Sequence, residues 1–174
     1  TTVTLNDGYE YRNSQNFGFS SLAHADKKPI TDGIISDDEW QGIWFAADRA
    51  VVVKEVKNWG GPSELSLSGN VMWDSENLYL CVDGSDNIFS QTNNGFNVWQ
   101  GDCIQFSLNL PGSDEISEFA YSLTPKGKEL YRFNSTYGHI SGLVDNYSGE
   151  IRFYNGKTIY ELAIPWSEIF TADY

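Results

Sequence analysis

Apolar residues along this chain recur at period two far more often than at helical spacing, which predicts strands. Leu78, Leu80 and Val82 alternate with Tyr79 and Cys81, and Ile104, Phe106 and Leu108 alternate with Cys103, Gln105 and Ser107. Leu65–Trp73 alternates in the same way, and residues 43–53 read as a long strand with β-branched residues at its end. Residues 119–123 and 129–133 flank Thr124-Pro-Lys-Gly-Lys128, a tight-turn sequence. Residues 150–154 and 158–164 flank Asn155-Gly156, a strong two-residue hairpin signal. The pairs Val3/Leu5, Tyr9/Tyr11 and Phe17/Phe19 predict short extended segments before the turn sequence Pro29-Ile-Thr-Asp-Gly33, where the main pattern begins.

Helix is expected in two places. Ser36-Asp-Asp-Glu39 is a capping-box sequence with acids in its first turn, which predicts a short helix with Trp40 packed under the sheet. Ile164-Pro165-Trp166-Ser-Glu-Ile169 ends a strand and starts a helical turn with Pro at its first position. So many strands at short turn spacing, with so little helix, predict an all-β protein. The expected architecture is one antiparallel β-sandwich, jelly-roll-like, over residues 1–174, with residues 1–29 as an extension packing as extra strands.

Composition narrows the function. Six Trp, ten Tyr and ten Phe, with 16 Gly and one Met, suit a β-rich extracellular domain, secreted or at a cell surface. A net charge of −13 argues against nucleic acid and against anionic membrane surfaces. The apolar runs are too short to cross a bilayer. No signal peptide is visible, and the first residue is Thr1 rather than Met, so a segment removed from its front is an expectation. Cys81 and Cys103 form a disulfide if their strands are neighbours, and are otherwise buried free thiols. Together with His24 and His139 they give no zinc spacing.

The aromatic content directs attention to sugars. A sugar ring shows C–H bonds on its faces and hydroxyls at its edges; aromatic faces cover the first and planar amides read the second. Residues 91–105 hold that mix in Gln91, Asn93, Asn94, Phe96, Asn97, Trp99, Gln100 and Gln105. Trp59, in Asn58-Trp-Gly-Gly-Pro62, is either a platform or a lid on the core. Tyr121 faces either sugar or the side of Phe119 and Leu123. Arg132, Tyr131, Tyr137 and His139 are further candidates, whereas Trp40, Trp73 and Trp166 are expected in the core. Asp83, Asp86 and Asn87 offer oxygen ligands in a tight turn, either for calcium or as an Asx-turn cluster, with Asp32, Asp37 and Asp102 as other possible donors. Glycoside hydrolysis needs two carboxylates facing each other, and no strand pairs acids at alternate positions around aromatics. Gly-x-Ser-x-Gly, P-loop and His-Glu-x-x-His motifs are absent, so no catalysis is expected.

Three segments in order resemble family 9 carbohydrate-binding modules and their sandwich relatives. They are Ile30-Thr-Asp-Gly-Ile-Ile-Ser-Asp-Asp-Glu-Trp40, Val71-Met-Trp-Asp-Ser-Glu-Asn-Leu-Tyr-Leu80 with Asp83, and Val98-Trp-Gln-Gly-Asp-Cys-Ile-Gln-Phe-Ser107. The ending Tyr160-Glu-Leu-Ala-Ile-Pro-Trp166 is similar too. The resemblance implies an antiparallel sandwich that binds plant polysaccharide, often beside a secreted glycanase and often with bound calcium. It aligns Trp99 with a Trp that stacks on sugar and Gln105 with a sugar-contacting carboxylate position. The chain departs from the family in three ways. Gln105 replaces Glu, an expected Arg falls near Ala120, and the later strands with a second stacking Trp are not matched. Either residues 1–29 take the place of those strands, or the sequence is part of a longer chain. A one-sided aromatic groove suits the middle of a glycan rather than its end. The expectation is therefore a monomeric, non-catalytic module for internal stretches of xylan, with β-glucan second, attached to a xylanase or other glycanase. The rival expectations are a protein-interaction domain and a haem-binding sandwich using Met72 or His139.

Overall fold

The computed structural model describes residues 2–4, 10–12, 22–36, 38–47, 61–86 and 88–171. Its strands, in chain order, are β1 (Thr2–Thr4), β2 (Glu10–Arg12), β3 (Ala23–His24), β4 (Phe45–Ala47), β5 (Leu65–Trp73), β6 (Asn77–Asp86), β7 (Ile104–Leu108), β8 (Ser117–Thr124), β9 (Gly127–Arg132), β10 (Gly142–Val144), β11 (Ser148–Tyr154) and β12 (Lys157–Pro165). A 3₁₀ helix, Gly95–Gln100, and one α-helical turn, α1 (Trp166–Ile169), accompany them. The chain is all-β, as its patterning predicts.

One sheet runs β11-β12-β6-β5-β3, with β4 also on β5, and the other runs β10-β9-β8-β7. Their pairings are antiparallel except β3 with β5. Among the described residues before Pro29, β3 joins the larger sheet, while β1 and β2 pair with each other. The β11–β12 hairpin turns on Asn155 and Gly156 with φ of 49° and 74°, the left-handed geometry that a two-residue turn requires and that these two residues adopt most cheaply.

Strand alternation builds the core between the sheets. Leu78, Leu80 and Val82 of β6 and Tyr160, Leu162 and Ile164 of β12 meet Phe119 and Tyr121 of β8, Leu130 of β9 and Val144 of β10. Phe106 of β7 stacks on Phe119 with ring centroids 5.3 Å apart. Each such side chain contributes about 1.5–3 kcal/mol by leaving water, so this layer dominates stability.

A second apolar layer lies on the outer face of the larger sheet. There Ala25 and Trp40 pack on Met72, Tyr79, Cys81 and Ala163. At its centre Glu161 is fully buried, its Oε2 accepting the Gly33 N–H at 2.7 Å and its Oε1 the Trp40 indole N–H at 3.0 Å. Burial pushes the Glu161 carboxyl above its ordinary range, and the two hydrogen bonds pull it part of the way back.

Two expectations need amendment, one lies partly outside the described residues, and the open choice for the cysteines is resolved. Residues 38–40 form a turn rather than the start of a helix. Half of the box forms: the Ser36 N–H donates to Glu39 Oε2 at 3.3 Å, but the Glu39 N–H goes to the Ser36 backbone carbonyl at 3.2 Å rather than to its hydroxyl. The Gln41 N–H goes to Met72 Sδ and the Gln41 carbonyl accepts from Asn70, so tertiary partners take the groups that a helix would use. Of the long strand at 43–53, β4 is the described part, and residues 48–53 lie outside the described residues. Trp40 is buried, but Trp73 is 40% exposed, its indole N–H donating to the Leu22 carbonyl. Cys81 on β6 and Cys103 beside β7 belong to different sheets and are free thiols.

Candidate functional site

The outer face of the four-stranded sheet presents the chemistry that residues 91–105 foreshadow. Register aligns Gln105 of β7, Ala120 of β8, Tyr131 of β9 and Leu143 of β10 in one row across it. Phe133 follows Tyr131 on the same side, and their rings lie 5.2 Å apart. The 3₁₀ helix docks over β8 and β9 through Val98, which is fully buried. In a 3₁₀ helix side chains three apart line up, so Phe96 and Trp99 leave it on one side. Phe96 is 61% exposed and sits edge-on to both Tyr131 and Phe133, at 6.2 and 6.0 Å. Trp99 is 50% exposed. Asn97 and Gln105 are exposed as well; Asn97 Oδ1 accepts from Gln100 Nε2 at 3.4 Å, and Gln105 Nε2 lies 3.7 Å from Cys103 Sγ.

The helix is held from beneath. Gln91 Nε2 lies 2.8 Å from the Val98 carbonyl, 3.3 Å from the Asp102 carbonyl and 3.2 Å from Ser122 Oγ, while its Oε1 accepts the Asn93 N–H at 2.9 Å. Gly101 gives that amide room, since a Cβ there would fall 2.4 Å from Gln91 Oε1. Glu129 closes the other end by accepting the Gly95 N–H at 2.7 Å. Gln91 is therefore committed to the scaffold rather than left facing a ligand.

Of the residues expected to contact a ligand, the fold brings Trp99 and Gln105 to this face, whereas Asn97 leaves the 3₁₀ helix on the side of Gln100. The fold turns Tyr121 and Arg132 the other way. Tyr121 is fully buried between the sheets, against Tyr147 and Tyr160, and burial raises its hydroxyl's pKa. Arg132 lies under the sheet, 5.3 Å over the Phe119 ring, donating to the Glu168 and Ile140 carbonyls and pairing with the Glu168 carboxylate at 3.7 Å. Burial lowers the pKa of its guanidinium. Parity explains both: Tyr121 shares the side of Phe119, and Arg132 that of Leu130. Trp59 lies outside the described residues. Phe96, Tyr131 and Phe133 gain weight, and the signal for the last two was the alternation of Glu129, Tyr131 and Phe133 with buried Leu130.

Of the expected calcium donors, Asp83 and Asp86 do not converge. Asp83 and Asp86 are three apart on one strand and so point to opposite faces. Asp83 Oδ2 accepts from Lys157 Nζ at 2.8 Å, and Asp86 Oδ1 accepts the Ile88 N–H at 3.0 Å in an Asx turn. Asn87 lies outside the described residues. Asp102 sits near Asp86 and accepts the Ser90 N–H; burial and the neighbouring Asp86 raise its carboxyl's pKa. Among the described residues no three His, Cys, Asp or Glu side chains gather as a metal site. Met72 is buried beneath the segment that covers the larger sheet's outer face, residues 25–36 and 38–41, and His139 lies in the turn before β10, on the other sheet's side. No helix among the described residues is long and apolar enough to cross a membrane.

Comparison of the chain with protein-family models, with curated proteins and with solved structures finds no match in any of the three.

Proposed function

We propose that this chain is a non-catalytic carbohydrate-binding module. It holds an internal stretch of a β-linked plant polysaccharide, xylan first and β-glucan second, along the outer face of the four-stranded sheet. Through an attached glycanase it raises the local concentration of enzyme at the polymer. The observation that carries the reading is the ring cluster of exposed Phe96 with half-buried Tyr131 and Phe133, with exposed Trp99 on the same side of the 3₁₀ helix and the exposed amide of Gln105 in the row of Tyr131. Apolar ring faces displace water from sugar C–H surfaces, and the amide takes hydroxyls two at a time. The resemblance to family 9 modules points the same way. An open face that desolvates few atoms implies weak binding, with Kd on the order of 10⁻³–10⁻⁵ M.

The test is titration calorimetry with xylohexaose and cellohexaose on the wild type, Trp99→Ala and Phe96→Ala. The reading expects binding that either variant abolishes while the thermal melt stays near wild type. Absence of binding to both oligosaccharides would refute it and favour a protein partner for the same aromatic face.

A further inference from the structure

The covering segment seals the outer face of the larger sheet over the row Glu150–Glu161–Cys81–Asn70. Over the next two rows it walls a cleft of about 620 Å³ instead. One row supplies Arg152, Ile159 and Asp83, and the other supplies Tyr154 and Lys157; Trp44, just before β4, closes the side. Trp44 and Tyr154 are 39% and 48% exposed. Two cations thus meet in one cleft of a chain with 24 acids and 11 bases.

Their bonding states differ. Lys157 Nζ is engaged with Asp83 Oδ2 at 2.8 Å. Among the described residues Arg152 is in no ion pair, and its guanidinium donates a single long bond, from Nη2 to the Asp32 carbonyl at 3.4 Å. Its stem lies against Gly33, where a Cβ would come 3.3 Å from Arg152 Nε. Asp83 Oδ1 is buried with no hydrogen-bond partner among the described residues. The cleft therefore holds a guanidinium with most of its donors unspent, a Lys157–Asp83 pair and two aromatic walls, while Asp83 Oδ1 is sealed from it.

We propose that this cleft is a second sugar site, selective for a carboxylate-bearing residue, a uronic acid. The Arg152 fork takes the carboxylate, because guanidinium and carboxylate match in a bidentate pair that a neutral sugar cannot supply. Asp83 Oδ2 and Lys157 Nζ, which already face each other, take ring hydroxyls, and Trp44 and Tyr154 cover the C–H surface. The class of ligand rests on the glycan-binding reading, but the cleft lies on the opposite side of the sandwich from the aromatic platform.

The experiment is calorimetry at low ionic strength with glucuronate-substituted xylotetraose, unsubstituted xylotetraose and free glucuronate. The proteins are wild type, Arg152→Ala, Arg152→Lys and Phe96→Ala. The expected result is about tenfold tighter binding of the substituted ligand by wild type, one charge-assisted pair partly screened by solvent. That gain vanishes in Arg152→Ala, is partly kept in Arg152→Lys, and shrinks with added salt. In parallel, free glucuronate shifts the Trp44 indole NMR signal of the wild type alone or with Phe96→Ala, and not that of Arg152→Ala. Equal affinity of wild type for both oligosaccharides, or a preference that survives Arg152→Ala, overturns the proposal. If unsubstituted xylotetraose fails to bind while glucuronate binds through Arg152, the platform reading fails and this one stands.

Discussion

The bond between the Trp40 indole and Glu161 allows a quantitative test of what holds the covering segment on the sheet. Trp40→Phe keeps an aromatic ring in the second apolar layer but removes the N–H that Glu161 Oε1 accepts at 3.0 Å. Glu161 is fully buried, so water does not replace that donor. A hydrogen bond to a charged group contributes about 1.5–3 kcal/mol, and the smaller ring adds a packing loss of its own. A double-mutant cycle with Glu161→Gln cancels the packing term. The expected coupling is about 2 kcal/mol at neutral pH, read from urea midpoints and worth roughly 4–8 °C in Tm. Because burial raises the Glu161 carboxyl in the folded state, the native protein binds that proton more readily than the unfolded chain does. Stability from this group is therefore greatest below its ordinary carboxylate range and falls as pH rises through the raised folded value. Trp40→Phe removes one of the two bonds that hold the pKa down, so this fall extends to higher pH, and the coupling is larger at pH 7.5 than at pH 4. A penalty for Trp40→Phe that is the same at both pH values and in the Glu161→Gln background would refute the reasoning, leaving packing alone.

Other outcomes follow from the same structure. Gln91→Ala should weaken xylohexaose binding more than fivefold and lower the melt by a few degrees, since it releases Val98 and the helix that carries Trp99. Calorimetry beside a thermal scan reads both effects. Burial raises the thiols of Cys81 and Cys103, Cys81 the more deeply buried of the two. A thiol reagent at pH 8 should therefore modify Cys103 slowly and Cys81 only after denaturation. Gly149→Ala would place a Cβ 2.6 Å from the Glu161 carbonyl and from the Tyr121 hydroxyl. Overpacking of that kind costs about 1–3 kcal/mol, measurable as a lower urea midpoint.

Much of the architecture was legible because its signals are local. Leu65–Trp73 has the bounds its alternation predicts, and Asn155-Gly156 makes the turn its residue types require. What the pattern lacks is the sign of a face. Period two places Tyr121 with Phe119 but does not say that Phe119 faces inward until β9 and β12 are in place. The 3₁₀ helix was illegible for another reason: six residues with one buried anchor, Val98, carry no periodicity, and its position depends on Gln91 reaching a hydroxyl 31 residues away. The Ser36–Glu39 box misled because only its Glu39 half formed, while Gln41 gave its N–H to Met72 and its carbonyl took a bond from Asn70. The cleft beside Arg152 was not foreseen, since it exists only where rows from three strands meet.

The tilts of the platform rings have a consequence for the form of ligand. Phe96 stands at 78° to Tyr131 and 76° to Phe133, and those two are inclined at 55° to each other. Three such surfaces share no plane. A crystalline polymer surface, which is flat over many chains, would touch one ring at a time. A single dissolved chain can rotate about each linkage and meet the rings in turn. On the proposed reading, the molecule sorts polysaccharide by its physical state as well as its chemistry, taking up soluble and amorphous strands and leaving ordered fibre untouched.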